Sequence, residues 1–166
     1  MNRPACLIFN PVAGQGNSEQ DLATIKSILE PTFDLDIQYT TPDISAGELA
    51  HKAIEKNVEM IIASGGDGTI SAVAEALIKT DIPLGAIARG TANAFANALD
   101  IPYTIEAACQ VIVDGATKKV DAAYCNDKPM ILLAGVGFEA ETVEDADREA
   151  KDRLGMLAYV LSGLKQ

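Results

Sequence analysis

Met60-Ile61-Ile62-Ala63-Ser64-Gly65-Gly66-Asp67-Gly68-Thr69 is the stretch on which the reading of this chain turns. Met60–Ala63 is a short apolar run followed by Ser64 and the glycines, and a helical pattern over Ile70–Lys79 begins where the motif stops. An apolar run without polar alternation suits a strand buried on both faces, and such strands belong to parallel sheets covered by helices. Strand, glycine turn and helix together make one repeat of an α/β fold.

The same grammar holds on both sides. Ala5–Phe9 is another apolar run, ended by Asn10-Pro11. Residues 17–30 place Leu22, Ile25, Ile28 and Leu29 at helical spacing behind Asn17 or Ser18 as cap. Leu35, Ile37 and Tyr39 alternate as in a strand. Ser45-Ala46-Gly47-Glu48 has the form of a capping box, in which Ser and Glu each satisfy a free N–H. Pro83–Ile87 reads as a fourth strand, an Ala-rich helix falls within residues 91–99, and Thr104 caps a helix that Gly115 ends. The alternation predicts a three-layer helix–parallel sheet–helix domain over residues 1–116, joined by right-handed crossovers. Ligands of such sheets sit beyond the carboxyl ends of the strands.

After Gly115 the pattern changes. Thr117–Cys125 and Pro129–Val136 predict strands joined at Asn126-Asp127, and a helical pattern runs from about Glu141 to Leu164. Residues 117–166 thus read as the incomplete opening of a second, β-rich domain. A hairpin without neighbours is marginal alone and leaves an exposed edge. That edge predicts a homodimer formed through residues 117–164.

The 166 residues, 48% of them hydrophobic, suffice for one well-packed domain. Trp is absent and aromatics make up 5%, so the core must be aliphatic. A formal charge of −11 argues against nucleic acid, whose binding rests on Lys and Arg. Cys6, Cys109 and Cys125 form no CxxC pair and read as free thiols of a reducing compartment. The opening MNRPACLIFNP carries no signal-peptide pattern and no stretch reaches membrane-span length, so a cytoplasmic protein is expected.

Gly65-Gly66-Asp67-Gly68-Thr69 carries the chemistry. Glycines at positive φ would let the backbone approach a ligand closely, and several N–H groups would then point at one anion beside a helix N-terminus. That is a phosphate site. Asp67 cannot itself hold an anion, so it orients Mg²⁺ or its waters, takes a proton from an attacking hydroxyl, or merely caps the turn. The residues alone leave these three readings open.

The loop resembles the GGDGT signature shared by diacylglycerol, sphingosine and NAD kinases. Asn10-Pro11-Val12-Ala13-Gly14 is similar to the NPxxG opening of the lipid kinases, and Gly90-Thr91-Ala92-Asn93-Ala94-Phe95-Ala96 to their GTxNDFA segment. Ala134-Gly135-Val136-Gly137-Phe138 and Gly155-Met156-Leu157-Ala158-Tyr159 also look like family segments, so the resemblance spans nearly the whole chain. It points to the diacylglycerol kinase catalytic family, with a Rossmann-like fold of the NAD kinase/diacylglycerol kinase type. The activity so implied is ATP-dependent, Mg²⁺-assisted transfer of the γ-phosphoryl group to a lipid hydroxyl, with transient contact at the inner face of a membrane. Diacylglycerol, phosphatidylglycerol and sphingoid acceptors all stay open. Carried over by motif, Asn10 and Gly14 border the nucleotide and Thr40 contacts it. Gly65, Gly66, Asp67, Gly68 and Thr69 hold its phosphates, with Ser71 nearby, Thr91 offers a hydroxyl, and Asn93 braces the loop. Asp67 is the catalytic candidate.

Some positions depart from the pattern. Ala88 stands where the family commonly has Pro, Ala94 replaces the common Asp of GTxNDFA, and Leu132 a common Asn. Arg89 either lies against phosphate or faces solvent. Family members continue through a β-rich second domain whose Asp-Gly-Glu-like segment supplies a carboxylate, so the chain is expected to be the ATP-binding part of a longer enzyme. Two rivals stand beside this reading: a kinase of a soluble substrate such as NAD, and a nucleotide-binding module without activity. His51 is expected in an ordinary helix-surface or packing role, Ser64 in a strand-end hydrogen bond, and Asp121 facing solvent at least as readily as the cleft.

Overall fold

The structure is a computed structural model that describes residues 2–131, all within one compact unit ending at Ile131. The helical pattern expected at 141–164 and the family-like segments after Ile131 lie outside the described residues.

Seven residues, Arg3–Phe9, form β1, and five of them are buried in sequence, as a strand covered on both faces requires. The helix α1 (Ser18–Leu29) follows, with Asn17 as its cap: the Asn17 side chain accepts from the N–H groups of Glu19 and Gln20. Then come β2 (Phe33–Tyr39), α2 (Ala46–Glu55), β3 (Met60–Gly65), α3 (Asp67–Leu77) and β4 (Leu84–Ala88). The short α4 (Ala94–Ala98) and α5 (Ile105–Asp114) close the α/β part. Gly115 stops α5 at φ +72°, a conformation that glycine adopts without Cβ strain.

The four strands are parallel in the order β2-β1-β3-β4. Ala5, Leu7, Phe9, Met60, Ile62 and Ile87 point to one face, where Ile25 and Leu29 of α1 and Ala108, Cys109 and Ile112 of α5 cover them. The alternate residues Cys6, Ile8, Ile61 and Ala63 are buried on the other face, where α2 and α3 pack on the sheet and on each other. Helices thus change face where the sheet order reverses, as a single crossover handedness demands.

The first strand of the hairpin is shorter than the sequence predicts: β5 (Ala123–Cys125) pairs antiparallel with β6 (Lys128–Met130), and positions 132–136 of the second expected strand lie outside the described residues. Asn126 and Asp127, at φ +48° and +61°, make its tight turn. Lys118 to Ala122 form no strand and are exposed, because no neighbouring strand covers them among the described residues.

Candidate functional site

The strands β1 and β3 lie side by side, but the chain leaves them in opposite directions across the sheet, which opens a crevice at their carboxyl ends. Asn10, the first residue past β1, spans that crevice. Its N–H donates to Ser64 O at 2.9 Å. Its Nδ2 donates to Thr69 Oγ1 at 3.0 Å, and its Oδ1 accepts from Val12 N at 3.1 Å. Gly14 ends the loop at φ +92°, and a Cβ there would meet Arg89 O at 3.3 Å. Only glycine suits that position without strain.

The glycines of Gly65-Gly66-Asp67-Gly68-Thr69 work differently from the expectation, since none of them has positive φ. α3 begins at Asp67 with Gly66 as N-cap, inside the motif and three residues before the apolar pattern starts. Gly65 makes room for Thr69, whose Oγ1 would lie 2.6 Å from a Cβ at position 65. Gly90 lets two loops touch, because a Cβ on it would fall 2.8 Å from Gly66 Cα. Gly68 differs from both: a Cβ there meets nothing within 4 Å.

Thr69 and Ile70 both donate to Gly66 O. The N–H groups of Gly66, Asp67 and Gly68 find no acceptor among the described residues. Three consecutive unmet donors at a helix N-terminus, over glycine and at a switch point, make a site complementary to an anion. The helix dipole alone adds about 0.3–1 kcal/mol for a charge so placed, more if water is excluded.

Asp67 is half-buried, and its Oδ1 accepts from Phe95 N in the first turn of α4 at 3.2 Å. The β3 loop thereby holds the β4 loop. Asn93, at φ +49°, braces the same loop from inside by accepting from Gly90 N at 2.8 Å. That matches the role expected for Asn93. Ala94 opens α4.

Arg89 corrects the sequence reading, which set it against phosphate or in solvent. Its side chain is 3% exposed. Nε donates to Asp21 Oδ2 at 2.9 Å, and Nη1 donates to Asn10 O at 3.0 Å. Nη2 lies 2.8 Å from the same Asp21 oxygen but off the hydrogen-bond axis, so Nε carries the aligned bond. The guanidinium also stacks 4.4 Å over the Phe9 ring. Arg89 is buried but Asp21 is 24% exposed, so removing one partner costs less than the roughly 3–5 kcal/mol of a fully buried pair. Asp21 escaped the sequence reading because it looks like an ordinary acidic residue in a first helical turn. The only local sign was an Arg directly after a buried apolar strand.

The other expected site residues are more loosely placed. Thr40 is half-buried at the end of β2, its N–H donating to Phe9 O. Ser71 lies one turn beyond Asp67 on α3 and is half-buried, whereas Thr91 is exposed in the β4 loop. Thr69 is buried, and its hydroxyl is engaged by Asn10. Ser64 is fully buried with no partner for Oγ among the described residues. His51 and Asp121 are exposed. Among the described residues no three His, Cys, Asp or Glu side chains cluster to hold a metal. No described helix is long and apolar enough to cross a membrane.

The sequence profile of the diacylglycerol kinase catalytic domain matches residues 4–125. The chain belongs to that family. A diacylglycerol kinase of Bacillus subtilis is 34% identical over 97% of this chain and 54% of its own length. An uncharacterized protein of Synechocystis is 54% identical over 96% of this chain and 40% of the relative. The crystal structure of a diacylglycerol kinase from Bacillus anthracis superposes with a TM-score of 0.70 at 34% identity, covering 76% of this chain and 47% of that one. The chain therefore spans about half the length of the relatives it matches. In this diacylglycerol kinase family domain, Asn10-Pro11-Val12-Ala13-Gly14, Gly65-Gly66-Asp67-Gly68-Thr69 and Gly90-Thr91-Ala92-Asn93-Ala94-Phe95-Ala96 form three interlocked loops at the carboxyl ends of β1, β3 and β4.

Proposed function

We propose that this chain is the nucleotide-binding part of an ATP-dependent lipid kinase. The observation that carries the reading is the row of unmet N–H groups at Gly66, Asp67 and Gly68, with open space over Gly68. Family membership and relatives named diacylglycerol kinase support it. Asn10, Gly14, Thr40, Ser71 and Thr91 would border the nucleotide around that phosphate cradle.

The donors would hold the phosphate chain of ATP through its oxygens and leave the γ-phosphorus facing the crevice mouth. The acceptor hydroxyl oxygen then bonds to that phosphorus as the β–γ bridging oxygen departs with ADP, and the hydroxyl proton passes to a base. Protein catalysis here consists of positioning and charge stabilisation. Mg²⁺, when bound, would supply positive charge that offsets the charge of the phosphate chain. Asp67 is the residue of this chain placed to meet it or its waters, with one carboxylate oxygen engaged by Phe95 and the other taking no hydrogen bond from the described residues. The acceptor we propose is diacylglycerol or a related lipid alcohol, met at a membrane surface.

A nucleotide-binding module without transfer is the second reading, favoured because the one acidic side chain in the loop already braces α4. Incubation of the full-length protein that carries this chain with γ-labelled ATP, Mg²⁺ and diacylglycerol micelles separates the two. Label in the lipid phase supports the kinase. Bound nucleotide with no labelled lipid supports the module.

A further inference from the structure

We propose that Arg89 and Asp21 form a positioning device that sets the Asn10–Gly14 loop against the β3 loop. This deepens the nucleotide reading above and rests on it for its consequence, though not for its geometry.

Arg89 meets every part of the site frame. Its backbone N–H donates to Gly65 O at 2.8 Å, fixing the β3 loop, while its carbonyl packs against Gly14. Its Nη1 donates to Asn10 O, which also accepts from Ala13 N at 3.3 Å. Phe9 supports the guanidinium plane from below, and Asp21 reaches in from α1. Because the side chain is 3% exposed and its charge is met by Asp21, Arg89 does not extend into solvent to meet a phosphate directly. It acts through the loop, and it is a positioning residue rather than a catalytic one. A planar guanidinium suits this role because it holds a carboxylate, a carbonyl and an aromatic face at once, which a compact ammonium cannot.

The partners come from different elements, so the pair can be removed without removing the loop. Arg89→Met alone leaves Asp21 uncompensated and should lower the thermal midpoint. The double variant Asp21→Leu/Arg89→Met replaces both charges with apolar groups and should recover most of it. The decisive readout is amide exchange, by NMR and without nucleotide, at Val12 and Ala13 against Leu7 and Ile62 in the core. In the double variant the core should exchange as in the wild type while Val12 and Ala13 exchange at least tenfold faster. Mg²⁺-ATP affinity should fall at least tenfold in the same protein. Arg89→Lys, which keeps a charge beside Asp21, should fold and show the same loosening of Val12 and Ala13.

Wild-type exchange at Val12 and Ala13 in the double variant and in Arg89→Lys would overturn the proposal, leaving a plain stability element. Loosened amides with unchanged affinity would overturn its consequence for nucleotide. A folded wild-type chain that binds no Mg²⁺-ATP would instead refute the nucleotide reading, and the exchange comparison would still decide whether Arg89 sets the loop.

Discussion

Asp67 holds two roles in one side chain, and a conservative substitution can part them. Its Oδ1 accepts from Phe95 N, while its charge is what a metal or a proton would use. Asp67→Asn keeps an oxygen for Phe95 and removes the charge. In the full-length protein the expected outcome is a stability within about 0.5 kcal/mol of the wild type, retained nucleotide binding, and loss of at least a hundredfold in phosphoryl transfer. Transfer at the wild-type rate would show that Asp67 is only a brace. Gly90→Ala should cost about 1–3 kcal/mol of stability, since its Cβ would press on Gly66 backbone that cannot yield cheaply. Chemical denaturation measures it, and an unchanged midpoint would show that the β3 and β4 loops are free to separate. At this scale the sequence showed which loop matters but not how its glycines act. Three clustered glycines suggest positive φ, whereas Gly65 permits a close contact, Gly66 caps α3 and Gly68 faces open space. The contact between Gly66 and Gly90 joins residues far apart in the chain, where no local pattern shows it. The 68-residue separation of Asp21 and Arg89 hides that pair for the same reason.

Elements were legible where their signals are local. The Ser45–Glu48 capping box is present in full: Ser45 Oγ accepts from Glu48 N, and Glu48 Oε2 accepts from Ser45 N at 2.8 Å. Those bonds hold the Glu48 carboxyl below its ordinary range, the backbone bond from Ser45 first. Ser45→Ala should cost about 1 kcal/mol, read as a lower denaturation midpoint with an unchanged slope. No change would mean that packing of Leu49, Ala50 and Ala53 alone sets the start of α2. α1 and α5 were readable for the same reason, through Asn17, Thr104 and Gly115. The start of α3 carries no local signal, because Gly66 caps it without a side chain and only glycines mark the boundary. The hairpin turn was placed correctly because Asn126-Asp127 is a local signal, but strand length depends on neighbours that a local pattern does not name.

At the scale of the whole molecule, two thiols report on the core. Burial pushes Cys6 up from 9.0 to about 11 and Cys109 to about 12, with the Asp36 and Glu106 charges adding in the same direction. Both are fully buried, one on each face of the sheet, while Cys125 is exposed. A thiol reagent at pH 7.5 should therefore label Cys125 at once and the other two only as the fold opens. Rapid labelling of Cys109 would contradict the packing of α5. The same shifts set a pH dependence. Because both folded values are raised, their stabilising share is whole below pH 9 and is lost as pH rises toward 11 and 12. A Cys6→Ala/Cys109→Ala variant should start less stable and lose less between pH 9 and 11 than the wild type does. Parallel pH profiles would show that these thiols do not titrate with unfolding.

The sheet order, its switch point and the unmet donors above it converge on one claim: the N-terminus of α3 receives phosphate. Gly68 tests it most directly, because a methyl group there meets nothing in the fold and belongs to the first turn of α3, whose N–H groups would hold the phosphate. Ala also favours helix over Gly by up to about 1 kcal/mol, so the substitution should not destabilise the chain. The measurement is calorimetric titration of the wild type and Gly68→Ala with Mg²⁺-ATP, with a thermal melt of each. The expected result is binding by the wild type and at least a tenfold weaker affinity, about 1.4 kcal/mol, in a variant that melts no lower. Equal affinity in the two proteins, or no binding by a folded wild type, would contradict the claim.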